Sequence, residues 1–111
     1  MLGFSQENGP YANEDGDAGF RKNDYSWNQE ATMFWIESPA GVGYSVCGNA
    51  TECIFDDNNS ADDNLAALLA ILQLYPEINK NDLYIAGESY AGIYIPQLVL
   101  RLDQYITNNT G

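Results

Sequence analysis

The sequence predicts an α/β fold, in which two neighbouring parallel strands are joined by a crossover helix and a sharp turn follows the second strand. Residues 31–37, "ATMFWIE", are apolar on both faces, which is typical of a buried parallel strand. Leucines then recur at helical spacing, before a second short apolar segment, "DLYIAG" at 82–87. The strand-helix-strand-helix order makes the strands parallel, with a right-handed connection, as part of an open α/β sheet.

Composition fits one small globular domain. The chain has 111 residues, 45% of them hydrophobic, and a net charge of −12. So acidic a chain repels nucleic acid and anionic lipid, and we expect neither as a partner. The carboxylates solvate the surface; adaptation to an acidic compartment is the alternative interpretation. No apolar run of about 18 residues predicts a membrane span, and the N-terminus lacks a signal-peptide pattern.

The first third of the chain predicts loops around one strand. Residues 8–28 are rich in Gly, Asn and Asp and indicate loops with an edge hairpin. After the strand at 31–37, the segment "SPAGVGYS" at 38–45 contains Pro39, Gly41 and Gly43. Because it lacks the Gly-Lys-Ser/Thr ending of a phosphate loop, we expect only a tight loop that lets backbone approach a site.

Two helices are predicted. Ser60 and Asp63 form an S-x-x-D pattern that resembles a capping box, so the first helix is expected to begin at Ser60 and to end before Pro76. The second helical stretch, residues 90–105, contains Pro96 in its second turn. A proline at that place predicts a kink or a later start.

Cys47 and Cys53 are the only cysteines, in "CGNATEC". Further ligands for zinc are missing, so a local disulfide is the favoured interpretation and two free thiols are the alternative. N-glycosylation sequons begin at Asn49, Asn58 and Asn108. Together with a close cysteine pair they favour the secretory route. We expect no metal and no cofactor.

The stretch "GESYAG" at 87–92 carries the strongest chemical signal. A Gly-x-Ser-x-Gly turn between a strand and a helix is the nucleophile elbow of α/β-hydrolases, which holds the serine in a strained backbone conformation. Gly87 and Ala91 supply the small neighbours of Ser89, and the backbone amide of Tyr90 is placed to donate to an oxyanion. An ordinary Gly-rich turn with an incidental serine is the alternative, and the chain contains no histidine to act as base.

Glu88 is unexpected beside a nucleophile, since its charge opposes an anionic substrate. A second carboxyl group nearby would keep it protonated, because two close carboxylates share one proton. Spacing alone does not identify the partner among the remaining acidic residues.

Taken together, four stretches resemble the serine carboxypeptidase family, including its lysosomal and vacuolar enzymes. They are "GFSQENGPY" at 3–11, "YSWNQEATMFWIESPAGVGYS" at 25–45, "ADDNLAALLAILQLYPE" at 61–77 and "NDLYIAGESYAGIYIPQL" at 81–98. The stretches follow the order and spacing of the family and cover nearly the whole chain. The pair "ESPAGVGYS" and "GESYAGIYIP" is highly specific.

The resemblance implies a role for four residues. Ser89 is similar to the nucleophile that forms the acyl-enzyme, and Tyr90 to the donor of one oxyanion-hole amide. Glu88 and Glu7 are similar to the two carboxyl groups that bind the C-terminal carboxylate of a peptide. They do so only while they share a proton, so binding is expected to weaken as pH rises. The implied setting of the parent protein is a lysosome, a vacuole or the outside of the cell.

The resemblance also implies that residues 1–111 are part of a single α/β-hydrolase catalytic domain. The N-terminal strands and the later Asp and His of the triad are expected to be missing, and Asp103 is rejected as the triad acid because it falls in the helix after Ser89. The chain alone is therefore expected to be inactive. Two alternatives stay open: a non-catalytic remnant that acts by binding, and part of a family acyltransferase or esterase. The oligomeric state stays open too.

Overall fold

A computed structural model of the chain describes residues 2–13, 19–49, 53 and 56–109. The chain divides into two compact units, residues 1–37 and residues 38–111, and each is described by itself. Within the described ranges, no helix is long and apolar enough to cross a membrane.

The first unit is built from short elements. A single π-helical turn, Gly3–Glu7, leads into strand β1, Tyr11–Ala12, which pairs with strand β2, Arg21–Lys22. The strands are antiparallel, with Tyr11 opposite Lys22, which confirms the hairpin predicted within residues 8–28. A 3₁₀ turn, Trp27–Gln29, follows.

The second unit is built on two packed helices. Helix α1, Asp57–Leu74, is followed by a 3₁₀ turn, Pro76–Ile78, and helix α2 spans Ala91–Asn109. Their buried apolar contacts come from Ala61 and Leu68 of α1 and Leu98 of α2. Burying such side chains supplies most of the free energy that holds two amphipathic helices together.

Solvent-exposed polar contacts also join the two helices. The guanidinium of Arg101 in α2 donates from Nε to Asp62 Oδ1 at 2.7 Å and from Nη2 to Asn58 Oδ1 at 3.0 Å. Both acceptors lie in α1, so one planar side chain bridges two turns of the neighbouring helix. Such two-point binding fixes orientation better than a single ion pair does.

The predicted start of α1 is wrong by one turn. Asp56, and not Ser60, caps the helix, because its Oδ1 accepts the backbone N–H of Asn59 at 2.8 Å. Ser60 lies inside the helix and is only 4% exposed. A carboxylate at the N-cap satisfies a free N–H and also faces the positive end of the helix dipole. The predicted end before Pro76 is confirmed.

Of the two outcomes expected from Pro96, a kink or a late start of α2, the late start is not observed. Helix α2 begins at Ala91 and runs through Pro96. A proline this near the N-terminus removes a single intrahelical hydrogen bond, which the long apolar helix tolerates.

The predicted parallel strand pair is not observed. Residues 32–38 and 82–88 form no regular strand, and the one sheet among the described residues is the antiparallel β1–β2 pair. Apolar side chains in both segments are solvent-exposed, such as Ile36 at 45% and Tyr84 at 85%. An apolar pattern predicts burial, but a strand also needs a hydrogen-bonded neighbour, which neither segment has among the described residues.

Candidate active site

The turn before α2 holds Ser89 in a strained backbone conformation. Ser89 has φ of 58°, and among the described residues it is the only non-glycine residue with a positive φ. The left-handed region costs an L-residue about 1–3 kcal/mol, so the surrounding structure must enforce it. The turn is closed by the N–H of Ala91 on the Glu88 carbonyl at 3.1 Å and by the N–H of Gly92 on the Ser89 carbonyl at 3.0 Å. The strain expected of a nucleophile elbow is thus confirmed.

Close packing around Gly87 explains the small residues of this turn. A Cβ at Gly87 would overlap the Cβ of Ala91 and lie 3.2 Å from Ile95 Cδ1. The backbone before the serine therefore passes directly against the first turns of α2, which no larger side chain at position 87 allows. Gly92 differs, because a Cβ there would meet no atom within 4 Å.

The backbone amide and the side chain of Tyr90 make different interactions. Its amide lies at the N-terminal end of α2, and no acceptor for it is found in the described part of the chain. Helix N-termini favour negative charge, so this amide can donate to an oxyanion. The Tyr90 hydroxyl donates to Asp57 Oδ1 at 3.3 Å, and the negative charge of Asp57 raises the Tyr90 pKa. The Tyr90 ring also packs edge-on against Tyr94, with 5.0 Å between centroids.

Glu88 and Ser89 are both exposed to solvent at this turn. The Glu88 carboxylate has no hydrogen-bond or ion-pair partner among the described residues, although its carbonyl accepts the Ala91 N–H. The elbow therefore presents a hydroxyl, a carboxylate and an unpaired amide on adjacent residues. These groups can attack a carbonyl, bind a protonated or cationic group, and stabilise an oxyanion.

Glu7, the second predicted carboxyl group, lies in the first unit, while Ser89 and Glu88 lie in the second. It is the last residue of the turn Gly3–Glu7, and its side chain is exposed, without a partner among the described residues. The residue after it is firmly held, since Trp35 Nε1 donates to Asn8 Oδ1 at 2.8 Å. Sequence reasoning missed this contact, because no local pattern relates residues that are 27 positions apart.

The segment 38–45 is the tight loop that its glycines predicted. Gly41 and Gly43 have φ of 94° and 55°, a region that favours glycine. The N–H of Gly41 donates to the Ser45 carbonyl at 2.9 Å, and the Ser38–Pro39 peptide bond is cis. The loop is also tied to α1, because Asn64 Nδ2 donates to Ser38 Oγ at 3.0 Å.

Cys47 and Cys53 are joined in a disulfide, with their Cα atoms 5.9 Å apart. The sequon asparagines lie in different settings. Asn58 is in the first turn of α1, bonded to Arg101, and Asn108 is in the last turn of α2. Asn49 lies between the two disulfide-bonded cysteines in sequence. The Thr residues of the Asn49 and Asn108 sequons lie outside the described residues.

Comparisons with known proteins agree with the four stretches singled out above. The family model for serine carboxypeptidase matches residues 1–111. The chain is 39% identical over 104 residues to serine carboxypeptidase 24 of Arabidopsis thaliana, covering 93% of this chain and 22% of that protein. It is 43% identical over 101 residues to serine carboxypeptidase 1 of Hordeum vulgare, covering 86% of this chain and 20% of that protein.

A serine carboxypeptidase of Caenorhabditis elegans is 43% identical over 100 residues, which cover 90% of this chain and 21% of that protein. The chain thus spans about a fifth of the length of the curated relatives that it matches. The family model matches the whole chain, and identities of 39–43% extend over 86–93% of it, which shows common descent. The chain belongs to the serine carboxypeptidase family, a family of α/β-hydrolases.

Proposed function

We propose that this chain is the nucleophile-bearing part of a serine-type carboxypeptidase, which removes residues from the C-termini of peptides. The observation that carries the proposal is the φ of 58° at Ser89. In a nucleophile elbow, the serine is held in a strained conformation on a tight turn that leads into a helix, and Ser89 has this geometry. The family relationship supports the same role for the same residue.

In the proposed reaction, Ser89 Oγ attacks the carbonyl carbon of the last peptide bond while its proton passes to a general base. The Tyr90 amide stabilises the oxyanion. Collapse of the tetrahedral intermediate breaks the C–N bond, the base returns the proton to the leaving amine, and a free amino acid departs. Water then hydrolyses the acyl-enzyme by the same route in reverse.

The base is proposed to come from another part of the protein, since this chain contains no histidine. We extend the proposal to the whole domain, in which residues 1–111 join further strands and a later Asp and His. Exposed apolar side chains support it. Val99, Leu100 and Ile106 of α2 are 47%, 48% and 48% exposed, although such residues are usually buried. In the complete domain, residues 31–37 and 82–87 would form parallel strands.

Glu7 and Glu88 are proposed to bind the C-terminal carboxylate of the peptide. Each carboxyl group is exposed and lacks a partner among the described residues, so each is available to a ligand. While the pair holds one proton, it can donate a hydrogen bond to the substrate carboxylate. Without that proton neither carboxylate can donate to the substrate carboxylate, so affinity is expected to fall as pH rises.

An oxidising compartment, such as a vacuole, a lysosome or the cell exterior, is the proposed location. The Cys47–Cys53 disulfide supports it, because disulfides persist mainly in such compartments. Glycosylation at Asn49, Asn58 and Asn108 stays a prediction.

The proposal is tested with the whole protein and a blocked dipeptide at acid pH. We expect release of the C-terminal amino acid, and Ser89→Ala should lower kcat by about 10³-fold or more. Thr107→Ala, which removes an exposed hydroxyl from α2, is the control and should leave kcat unchanged. Retention of activity in Ser89→Ala would refute the nucleophile assignment. Hydrolysis of esters or acyl transfer, with no release of amino acids, would instead show an esterase or acyltransferase.

The domain proposal is tested with the 111-residue chain alone. We expect no turnover, since losing a triad base costs several orders of magnitude. We also expect a broad, non-cooperative urea transition, because much apolar surface is uncovered. A sharp transition with measurable hydrolysis would show that these residues form a complete enzyme.

A further inference from the structure

The segment Glu7, Asn8 and Gly9, here called the 7–9 loop, is held at each of its three carbonyl groups. Asn23 Nδ2 donates to the Glu7 carbonyl at 3.4 Å and to the Gly9 carbonyl at 2.9 Å. The backbone N–H of Trp27 donates to the Asn8 carbonyl at 2.9 Å. Asn23 lies 16 and 14 residues beyond the Glu7 and Gly9 carbonyls to which it donates, so tertiary structure fixes the loop.

The side chain of Asn8 adds a fourth anchor. Trp35 Nε1 donates to Asn8 Oδ1 at 2.8 Å in a half-buried position. The Trp35 ring is itself fixed by an edge-on contact with Phe4, with ring centroids 5.2 Å apart. The N–H of Asn8 closes the preceding turn on the Gly3 carbonyl at 2.9 Å. Every hydrogen-bonding group of Asn8 except its amide NH₂ therefore has a described partner.

Steric packing completes the restraint. Gly9 is buried, and a Cβ there would overlap the carbonyl oxygen of Phe4. The chain therefore passes directly over the preceding turn just after Asn8. Movement of the Glu7 backbone would break several contacts at once, so the loop behaves as one rigid piece.

The side-chain carboxylate of Glu7 is the group of the 7–9 loop that is available to bind a ligand. The Glu7 carboxylate is exposed and has no partner among the described residues. The backbone carbonyls of Glu7 and Gly9, by contrast, both accept hydrogen bonds. Rigid support around an unpartnered charged group is the arrangement of a preorganised binding site.

We propose that Trp35 and Asn23 are positioning residues that set the preference of the enzyme for peptides with a free C-terminal carboxylate. They act through the 7–9 loop and hold Glu7 where the substrate carboxylate binds. This inference rests on the proposed function of Glu7 and deepens it. Trp35→Phe removes the indole N–H that binds Asn8 and leaves an aromatic ring beside Phe4.

The test compares two substrates in the whole protein: a blocked dipeptide with a free C-terminus and the same dipeptide as its C-terminal amide. The ratio of their kcat/KM values measures the carboxylate preference. Trp35→Phe keeps an aromatic ring beside Phe4 but has no N–H. We expect the ratio to fall about tenfold, through a higher KM for the acid, since small displacements of a binding group have effects of this size or larger.

Trp27→Phe is the matched control. It is the same substitution, and Trp27 holds Asn8 through its backbone alone, which the variant retains. We expect the ratio to stay within about twofold. Asn23→Ala is the second variant, in case Trp35→Phe does not fold, and it should lower the ratio in the same direction.

The outcomes separate this inference from the proposed function. A wild-type protein that hydrolyses acid and amide equally would overturn both. A wild-type protein that prefers the acid, with the preference unchanged in folded Trp35→Phe and Asn23→Ala, would overturn only the positioning role. An equal loss of kcat/KM on both substrates would show a structural role and would also overturn it.

Discussion

The nucleophile elbow and the 7–9 loop both present an exposed reactive group on a rigid backbone, but they are made rigid in different ways. At the elbow, the contacts that constrain Ser89 come from residues 87–95, its own neighbours in sequence. The 7–9 loop has local contacts too, but it also needs hydrogen bonds from Asn23 and Trp35, which lie 14 to 27 residues away. Local contacts constrain the elbow, whereas long-range side-chain hydrogen bonds complete the restraint of the loop.

This difference decides what a sequence can reveal. A strained turn needs small residues at fixed offsets, so "GESYAG" carries its own signature. A loop held by distant side chains needs only a donor at the right place in space. Neither Asn23 nor Trp35 stands in a pattern that marks this task. The comparison predicts that both sites are sensitive to added side-chain volume, and that the loop is also sensitive to the loss of single polar groups.

Of the three effects predicted here, the largest is expected for Gly87→Ala. In the whole protein, Gly87→Ala should lower the free energy of unfolding by about 1–3 kcal/mol, because its Cβ would overlap Ala91. The matched control is Gly92→Ala, whose Cβ meets open space within α2 and should raise stability by up to about 1 kcal/mol. Urea unfolding measures both. Equal effects of the two substitutions would show that packing at the elbow does not constrain its backbone.

A smaller effect is expected in the 7–9 loop. Asn23→Ala removes the donor to two carbonyls and the acceptor of the Tyr25 N–H, and it should cost about 1–2 kcal/mol, since net hydrogen bonds contribute roughly 0.5–1.5 kcal/mol each. Asn28→Ala, at an exposed position of the same unit, should change stability by less than about 0.5 kcal/mol. The same unfolding assay compares them. If the two variants are equally stable, hydrogen bonds from Asn23 do not hold the loop.

The smallest effect concerns the side chain of Tyr90. The Asp57 carboxylate raises the Tyr90 pKa, so the hydroxyl stays neutral and keeps its hydrogen bond to a higher pH than an ordinary tyrosine would. Asp57→Asn should lower that pKa toward its ordinary value. Asp62→Asn is the control, because that carboxylate bonds Arg101 instead. NMR titration of labelled tyrosine measures the shift, and an unchanged Tyr90 pKa in Asp57→Asn would contradict the pairing.

Much of the fold could be predicted from sequence where the determinants are local. The hairpin, both helices, the stop before Pro76 and the strained Ser89 follow from turn residues, periodicity and a small-residue motif. The cap of α1 was misassigned, because Asp56 and Ser60 both suit an N-cap and their sequence positions do not rank them.

The two predicted strands depend instead on long-range partners, which a sequence does not identify. Residues 31–37 and 82–87 have the apolar pattern of buried strands, yet a strand is completed only by hydrogen bonds to a neighbour. Those partners are long-range, like the donors to the 7–9 loop. The carboxyl pair is a similar case: residue types and family relationship suggest Glu7 and Glu88, while their pairing depends on tertiary structure.

Chemical trapping of the nucleophile tests the central claim most directly. The whole protein is treated with a fluorophosphonate, which reacts with activated serines, and the modified peptides are identified by mass spectrometry. We predict one stoichiometric adduct, on Ser89, with loss of peptidase activity in step with labelling and no adduct in Ser89→Ala. Inactivation with the adduct on a different residue, or full activity with Ser89 modified, would contradict the assignment of Ser89 as the nucleophile.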